Sequence, residues 1–384
     1  MLRVLAITKI FPNAAEPLSA PFNRQQFSAL AELCDLEVLA TIPWFPGAGL
    51  LARWSSAGKL AAVPDRETIA GIEVRHPRTL FVPRLAHAAW GPLYAASIAP
   101  ALHRYRNKVD VVLGSWAYPD GFAAVIAGKL LGVPSVVKLH GSDINVIAKL
   151  PGPRRLSAWA LPQAAKVVAV SRALGDEVVA LGVPRDNVEI VMNGVDADLF
   201  QPRDRAAARA ELGLPSGPLA LYVGNLKPEK GVHDLLAAWT KVKTGTLAVV
   251  GGGPIAVTGE RVLAVGPLPH AQVTTWMAAA DVLVLASHVE GTPNVVLEAL
   301  ASGRRVVATA VGGVPDLITS PELGELVTPR DPDALAAALT RALATPYDPA
   351  IVARLGARGG WAASAARLHA VLAGTVGARD THRG

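Results

Sequence analysis

The sequence predicts an α/β protein made of two Rossmann-like domains, and three observations carry that prediction. Short, near-continuous runs of Val, Leu and Ala recur along the 384 residues. Such runs mark strands buried on both faces, hence parallel sheets. Helical stretches lie between them, which makes βαβ units and a doubly wound architecture. The length suits two domains, and a turn-rich passage near residue 190 separates two sets of runs.

The first set is LRVLAIT (2–8), LEVLAT (36–41), VDVVLGS (109–115), PSVVKLH (134–140) and AKVVAVS (165–171). The opening run reads as a strand, because it lacks the regions and cleavage site of a signal peptide. The passage VEIVMNGVDADLFQPRDRAAARAELGLPSG (188–217) holds turn residues and one short helix, and serves as the connection. The second set is LALYVGN (219–225), TLAVVGG (246–252), DVLVLAS (281–287) and RRVVATA (304–310). Domains of residues 1–190 and 191–358 follow. In the closing segment, residues 359–384, Trp361, Ala365, Leu368, Val371 and Leu372 recur at helical spacing. Ligand loops are expected at the C-terminal strand ends, in a cleft between the domains.

Composition excludes several classes. With 51% hydrophobic and 18% charged residues the chain is not disordered. A single cysteine, Cys34, excludes an internal disulfide and fits a reducing, cytoplasmic setting. The apolar run 88–102 is broken by Pro92 and Pro100 and falls short of the roughly 20 residues of a bilayer span. Residues 1–190 hold 20 Lys and Arg against 14 Asp and Glu, and residues 191–384 hold 17 against 17, so the whole excess of +6 lies in the first half. That asymmetry suits an anionic membrane surface or acidic substrate, or else a solvated face. Trp44, Phe45, Leu50, Leu51 and Trp54 share a stretch with Arg53 and Lys59. The stretch suits a headgroup interface at the inner membrane face, or else core. No basic, aromatic-interleaved nucleic-acid motif is present.

The chemistry concentrates in EGTPNVVLEALASG, residues 290–303. The spacing predicts a helix from Pro293, with Thr292 as N-cap and Gly303 at C′. Its first amides, Thr292 to Val295, make an anion or hydroxyl site. Glu298 sits in an apolar stretch and needs a polar partner, either a ligand hydroxyl or a neighbouring Lys or Arg. Upstream, YVGNLKPEKG places Gly224, Asn225 and Lys227 in a loop, then Lys230 at a helix entrance suited to a diphosphate. Gly251–Gly253 would let a ligand approach the backbone. His140 ends a buried run, as a structural histidine or a ligand contact. Asp143 either binds a hydroxyl or caps the next helix, and Ser171 caps the helix after VVAV. Asn193-Gly194 reads equally as a turn or a donor contact. No metal-ligand spacing occurs, so no metal cofactor is expected.

KLHGSD, IVMNGVDADLF, VGNLKPEKG, LAVVGGGP, AAADVLVLASHVEGTPNVVLEALASG and VVATAVGGVPDLI stand in the order and spacing of a known family. Together, over almost the whole chain, they resemble the retaining glycosyltransferases of family 4, which have the GT-B fold. HGSDINV and VGNLKPEKG look most like its teichuronic-acid-type and related surface-polysaccharide members. The resemblance implies a nucleotide diphosphate sugar donor bound by the second domain and a lipid-linked or polysaccharide acceptor bound by the first. It also implies a C-terminal helix crossing back to the first domain.

By the same resemblance Glu298 holds the ribose and Glu290 (with Gly291, Thr292, Pro293, Asn294 and Val295) the donor sugar and phosphate. Lys230 meets the diphosphate, residues Gly266 to Leu268 the nucleobase, and His140 the donor sugar. Asp143, Arg172 and Arg24 are candidate acceptor contacts. Two departures stand out. Asn225 replaces an arginine common in the family, with Lys227 a partial substitute. The first loop carries Pro21-Phe22 in place of glycines. A nucleotide-sugar epimerase and a non-catalytic nucleotide-sugar-binding protein are the rival readings. A dinucleotide oxidoreductase is weaker, since no G-x-G-x-x-G follows the first strand.

Overall fold

Each apolar run named above forms a strand, because its side chains are buried on both faces. The computed structural model describes residues 1–17, 19–45, 56–80 and 87–381. The chain divides into two compact units, Met1–Asn193 with Trp361–Gly384, and Gly194–Gly360.

In the first unit the strands are β1 (Arg3–Thr8), β2 (Asp35–Ala40), β3 (Ile42–Trp44), β4 (Arg66–Ile69), β5 (Ile72–Arg75), β6 (Arg78–Leu80), β7 (Val111–Ser115), β8 (Ser135–Lys138), β9 (Lys166–Ala169) and β10 (Val188–Ile190). Eight of them form one sheet in the order β10-β9-β8-β7-β1-β2-β5-β4, and β3 pairs with β6. Within the large sheet only β4 runs antiparallel to its neighbour. The second unit holds β11 (Leu219–Val223), β12 (Thr246–Val250), β13 (Val262–Gly266), β14 (Val282–Leu285), β15 (Arg305–Thr309) and β16 (Gly324–Val327). They form a parallel sheet in the order β13-β12-β11-β14-β15-β16.

The helix Trp361–Thr381 belongs to the first unit. Its Ala365, Leu368 and Leu372 are fully buried and pack with Phe27 and Leu30 of the helix Pro21–Ala31. A polar line runs beside this core. Lys138, fully buried, donates to Gln26 Oε1 and, at 3.4 Å, to Asn193 Oδ1. Gln26 donates to Ser364 Oγ at 3.0 Å, and Ser364 donates to the Met192 carbonyl at 2.6 Å. These bonds tie Met192 and Asn193 to the first unit, so the division falls after Asn193 rather than at residue 190. Gly360 bridges to Val195 in the second unit, and the helix starts at Trp361 rather than at 359.

In the aromatic stretch, Trp44 is exposed at the end of β3 and Lys59 is exposed in the short helix Ser56–Leu60. Leu50, Leu51, Arg53 and Trp54 lie outside the described residues. Among the described residues no helix is long and apolar enough to cross a membrane.

Two outcomes follow from this packing. Leu368→Ala should destabilise the protein by about 2–5 kcal/mol, the range for a leucine deleted from a closed core. A urea unfolding curve shifted by less than about 1 kcal/mol would exclude the helix from that core. The second concerns Lys138, whose amine burial pushes down to about 7. Between pH 7 and the unfolded value near 10.5, the unfolded chain binds this proton and the folded chain does not. The contribution of Lys138 to stability therefore rises with pH through that window. Lys138→Met removes this rise, so the variant's stability relative to wild type should fall from pH 7 to pH 10. A difference that stays constant across the window would refute the assignment.

Candidate functional site

In the second unit three loops meet main chain to main chain. Gly231, at φ 66°, follows the turn Pro228–Lys230, and a Cβ there would lie 1.8 Å from the Ala286 carbonyl oxygen. Gly312, at φ 53°, follows β15, and its Cβ would lie 2.0 Å from the Glu290 carbonyl oxygen. Only glycine combines the left-handed backbone with so close an approach. His288 N–H donates to the Glu229 carbonyl at 2.9 Å, and Gly313 N–H to the Gly291 carbonyl at 2.7 Å.

Glu290 sits at this junction. Its Oε1 lies 2.8 Å from Lys230 Nζ and accepts from Ser287 Oγ at 2.6 Å. Thr309 Oγ1 fixes Ser287 by donating to its carbonyl at 2.5 Å. Beneath the loop, the Tyr222 hydroxyl donates to the Asn225 carbonyl at 2.9 Å. Burial, together with the charges of Glu290 and Glu229, raises the Tyr222 phenol well above its ordinary value. Asn225 and Lys227 point their side chains to solvent, while Gly224 N–H joins the Val250 carbonyl at 3.0 Å.

The helix after this loop runs Asn294–Ala301, one residue later than the spacing predicts. Pro293 is its N-cap, with ψ 110°, which keeps it outside the helix. Thr292 is buried ahead of the cap and does not serve as one. Gly303 takes the left-handed C′ position at φ 72°. Among the described residues the partner of Glu298 is neither a lysine nor an arginine. His270 Nε2 lies 2.9 Å from Glu298 Oε1, with the His270 ring tilted against Phe200 at 4.9 Å. His270 opens the helix His270–Ala279, just after Gly266 and Leu268, so Glu298 and that loop share one corner.

In the first unit a relay fixes His140. Asn23 Nδ2 donates to the Ile10 carbonyl at 2.8 Å, which turns its Oδ1 toward Ser115. The Ser115 hydroxyl donates to that oxygen at 3.0 Å. Ser115 Oγ must then accept from His140 Nε2, 2.9 Å away, so the proton is on Nε2. His140 Nδ1 is left as a buried acceptor with no protein partner among the described residues. The ring lies between Phe22 and Trp116, with centroids at 4.9 and 6.0 Å. Burial, and then the charge of Lys138, push the imidazole well below its usual range and keep it neutral.

Asp143 is fully buried, and its carboxylate accepts from the backbone N–H groups of Ala117, Gly141 and His140. It holds the His140 loop and does not cap the helix Ser142–Asn145 in which it lies. Ser171 caps the helix Arg172–Val179 by accepting from Leu174 N–H at 3.3 Å. Arg172 is exposed at the first position of that helix, and Arg24 is half-buried in the helix Pro21–Ala31. Sequence reasoning missed Ser115, Asn23, Ser287 and His270. The histidine beginning a helix directly after GPLP was the signal for the last.

Residues 13–199 match the profile described as Glycosyltransferase Family 4, and residues 217–345 the one described as Glycosyl transferases group 1. The chain is 32% identical over 349 residues to TuaC of Bacillus subtilis (strain 168), named as a teichuronic acid biosynthesis glycosyltransferase, covering 88% of this chain and 89% of that one. It is 30% identical over 353 residues to D-inositol 3-phosphate glycosyltransferase 1 of Catenulispora acidiphila, covering 82% and 83%. Among solved structures, sucrose-phosphate synthase from Thermosynechococcus elongatus superposes with a TM-score of 0.78 at 22% identity, covering 98% of this chain and all of that one. Anabaena Alr3699/HepE in complex with UDP superposes with a TM-score of 0.73 at 20% identity, covering 97% of this chain and 100% of that one.

The relay predicts the protonation state of His140. Imidazole ¹⁵N spectra at pH 6 should show a neutral ring carrying its proton on Nε2. A His140 signal titrating near the ordinary value of about 6.5 would contradict both the burial and the tautomer.

Proposed function

The chain belongs to glycosyltransferase family 4 and has the GT-B fold, and on that premise we propose that it moves a sugar from a nucleotide diphosphate sugar to a hydroxyl acceptor with retention. The observation that carries this reading is the Lys230–Glu290–Ser287 junction beside the helix Asn294–Ala301. In such a transfer the bond from the anomeric carbon to the diphosphate breaks, and negative charge grows on the leaving oxygen. Lys230 and the amides of the helix start stabilise that charge. Glu290 accepts hydrogen bonds from the sugar, and Glu298, steadied by His270, accepts from the ribose hydroxyls. In the first unit, separately, His140 Nδ1 offers an acceptor for a ligand hydroxyl. The proposed chemistry asks for no metal ion.

We assign the acceptor to cell-surface polysaccharide or glycolipid synthesis at the inner face of the membrane. The name of TuaC and the basic excess in residues 1–190 support that assignment. One observation favours a second reading, a nucleotide-sugar binder without turnover: Asn225 brings no charge to the diphosphate loop. Thermal shifts with UDP-, GDP- and ADP-sugars, followed by assay of nucleoside diphosphate release, separate the two. Binding with release supports the transferase, and binding without release supports the binder.

The two carboxylates should part in kinetics. Glu298→Gln should raise the donor KM by about tenfold or more with little change in kcat, as for a lost charged hydrogen bond made equally in ground and transition states. Glu290→Ala should lower kcat by about a hundredfold, as for a group acting on the transition state. Wild-type kinetics in both variants would refute the site.

A further inference from the structure

We propose that the first unit carries a separate binding site for a phosphate group, in a pocket of about 450 Å³ lined by Arg3, Asp35, Arg66, Arg75, Arg104 and Lys108. Arg3 and Asp35 begin β1 and β2, whereas the loop leading to the His140 relay leaves the other end of β1 at Lys9. Six residues of strand put the two ends roughly 20 Å apart.

The pocket is built rather than incidental. Tyr105 is buried and its hydroxyl donates to Glu37, which pins the turn His103–Tyr105 against β2. Arg104 and Lys108 project from either side of that anchor and are exposed. On the opposite wall Arg66 of β4 stands directly across from Arg75 of β5 in antiparallel register. Like charges facing each other across a strand pair are destabilising, and Glu37 and Glu73 offset the charge on the Arg75 side while Arg66 has no such partner among the described residues.

Internal pairing leaves a surplus. Arg3 is matched by Asp110 at 2.5 Å, and Arg75 by Glu37 and Glu73, each at 2.6 Å. Among the described residues, Arg66, Arg104 and Lys108 make no ion pair or side-chain hydrogen bond, and Asp35 is the only unmatched carboxylate lining the pocket. Three cations against Asp35 and the second carboxylate on Arg75 leave a net positive charge that complements an anion, not a neutral sugar. Guanidinium groups fit phosphate oxygens in pairs, which favours phosphate over other anions. A second cavity of about 310 Å³ shares Arg66, Arg75 and Arg104, so these arginines serve a continuous basic surface. Part of the first half's charge excess is therefore focused rather than spread.

A phosphate group could come from a soluble metabolite or from a lipid headgroup, and the test separates them. The site does not rest on the transferase reading. Tripolyphosphate is titrated calorimetrically into the full chain, into Lys230→Ala, and into the triple variant Arg66→Ala, Arg104→Ala, Lys108→Ala. All three changes lie on exposed side chains, and matched thermal melts verify folding. Binding should persist in Lys230→Ala and weaken by about tenfold or more in the triple variant, as expected for lost charge-assisted contacts. Sedimentation with phosphatidylglycerol–phosphatidylcholine vesicles then names the source. Pelleting lost in the triple variant assigns a lipid headgroup, and tripolyphosphate binding without pelleting assigns a soluble one. Equal binding by wild type and triple variant, or binding that vanishes entirely in Lys230→Ala, would overturn the proposal.

Discussion

The contact on which the second unit's site depends is main chain against main chain, at Gly231 and Gly312 around the Glu290 loop. A side chain at either position would collide with a carbonyl oxygen it could not push aside. Because the three loops close on one another without intervening side chains, Lys230, the residue before Gly231, is delivered to Glu290 at hydrogen-bond distance. The helix start follows three residues after Gly291, whose carbonyl is held by Gly313. Catalytic constellations need placement within fractions of an ångström, and backbone packing supplies it with little conformational freedom to lose.

The first unit reaches similar precision by another route. There a chain of neutral groups, Ile10 carbonyl, Asn23, Ser115 and His140, sets one ring's tautomer. Neutral relays suit a buried position, where an unpaired charge would be far more costly. Lys138 makes the contrast plain. It is buried with two amide oxygens and no carboxylate, and burial lowers its pKa toward neutrality. His140 is kept uncharged first by its own burial and then by whatever charge Lys138 retains.

How far the sequence disclosed this follows from where each signal comes from. Strands buried on both faces announce themselves as Val and Leu runs, as in Val111–Ser115. The short β3, β6 and β10 and the half-exposed β16 carry no such run, and β13, which reads VLAVG, is only half-buried; none of them was foreseen as a strand. The carboxylates and Lys230 were legible as a spaced pattern along the chain. Their partners were less so, because His270 meets Glu298 through the fold and 28 residues apart. The helix start was misplaced by one residue because proline is as compatible with a cap as with the first turn. Only its ψ decides, and the strands and loops around it set that angle.

The ion pair at Lys230 also bears on how the proposed reaction would be ordered. With the site in the state described, Lys230 and Glu290 neutralise each other, so neither carries an uncompensated charge in a partly buried place. An entering diphosphate offers the lysine two or more negative charges instead of one. At an effective dielectric of about 20, each unit charge brought to about 4 Å is worth about 4 kcal/mol before desolvation. The diphosphate therefore competes well for the ammonium. Glu290, relieved of that partner but still held by Ser287, is then available to accept from the sugar. In the proposed scheme the pair thus couples arrival of the donor's phosphates to readiness of the carboxylate at its sugar, and Ser287 keeps that carboxylate from swinging away when the lysine turns.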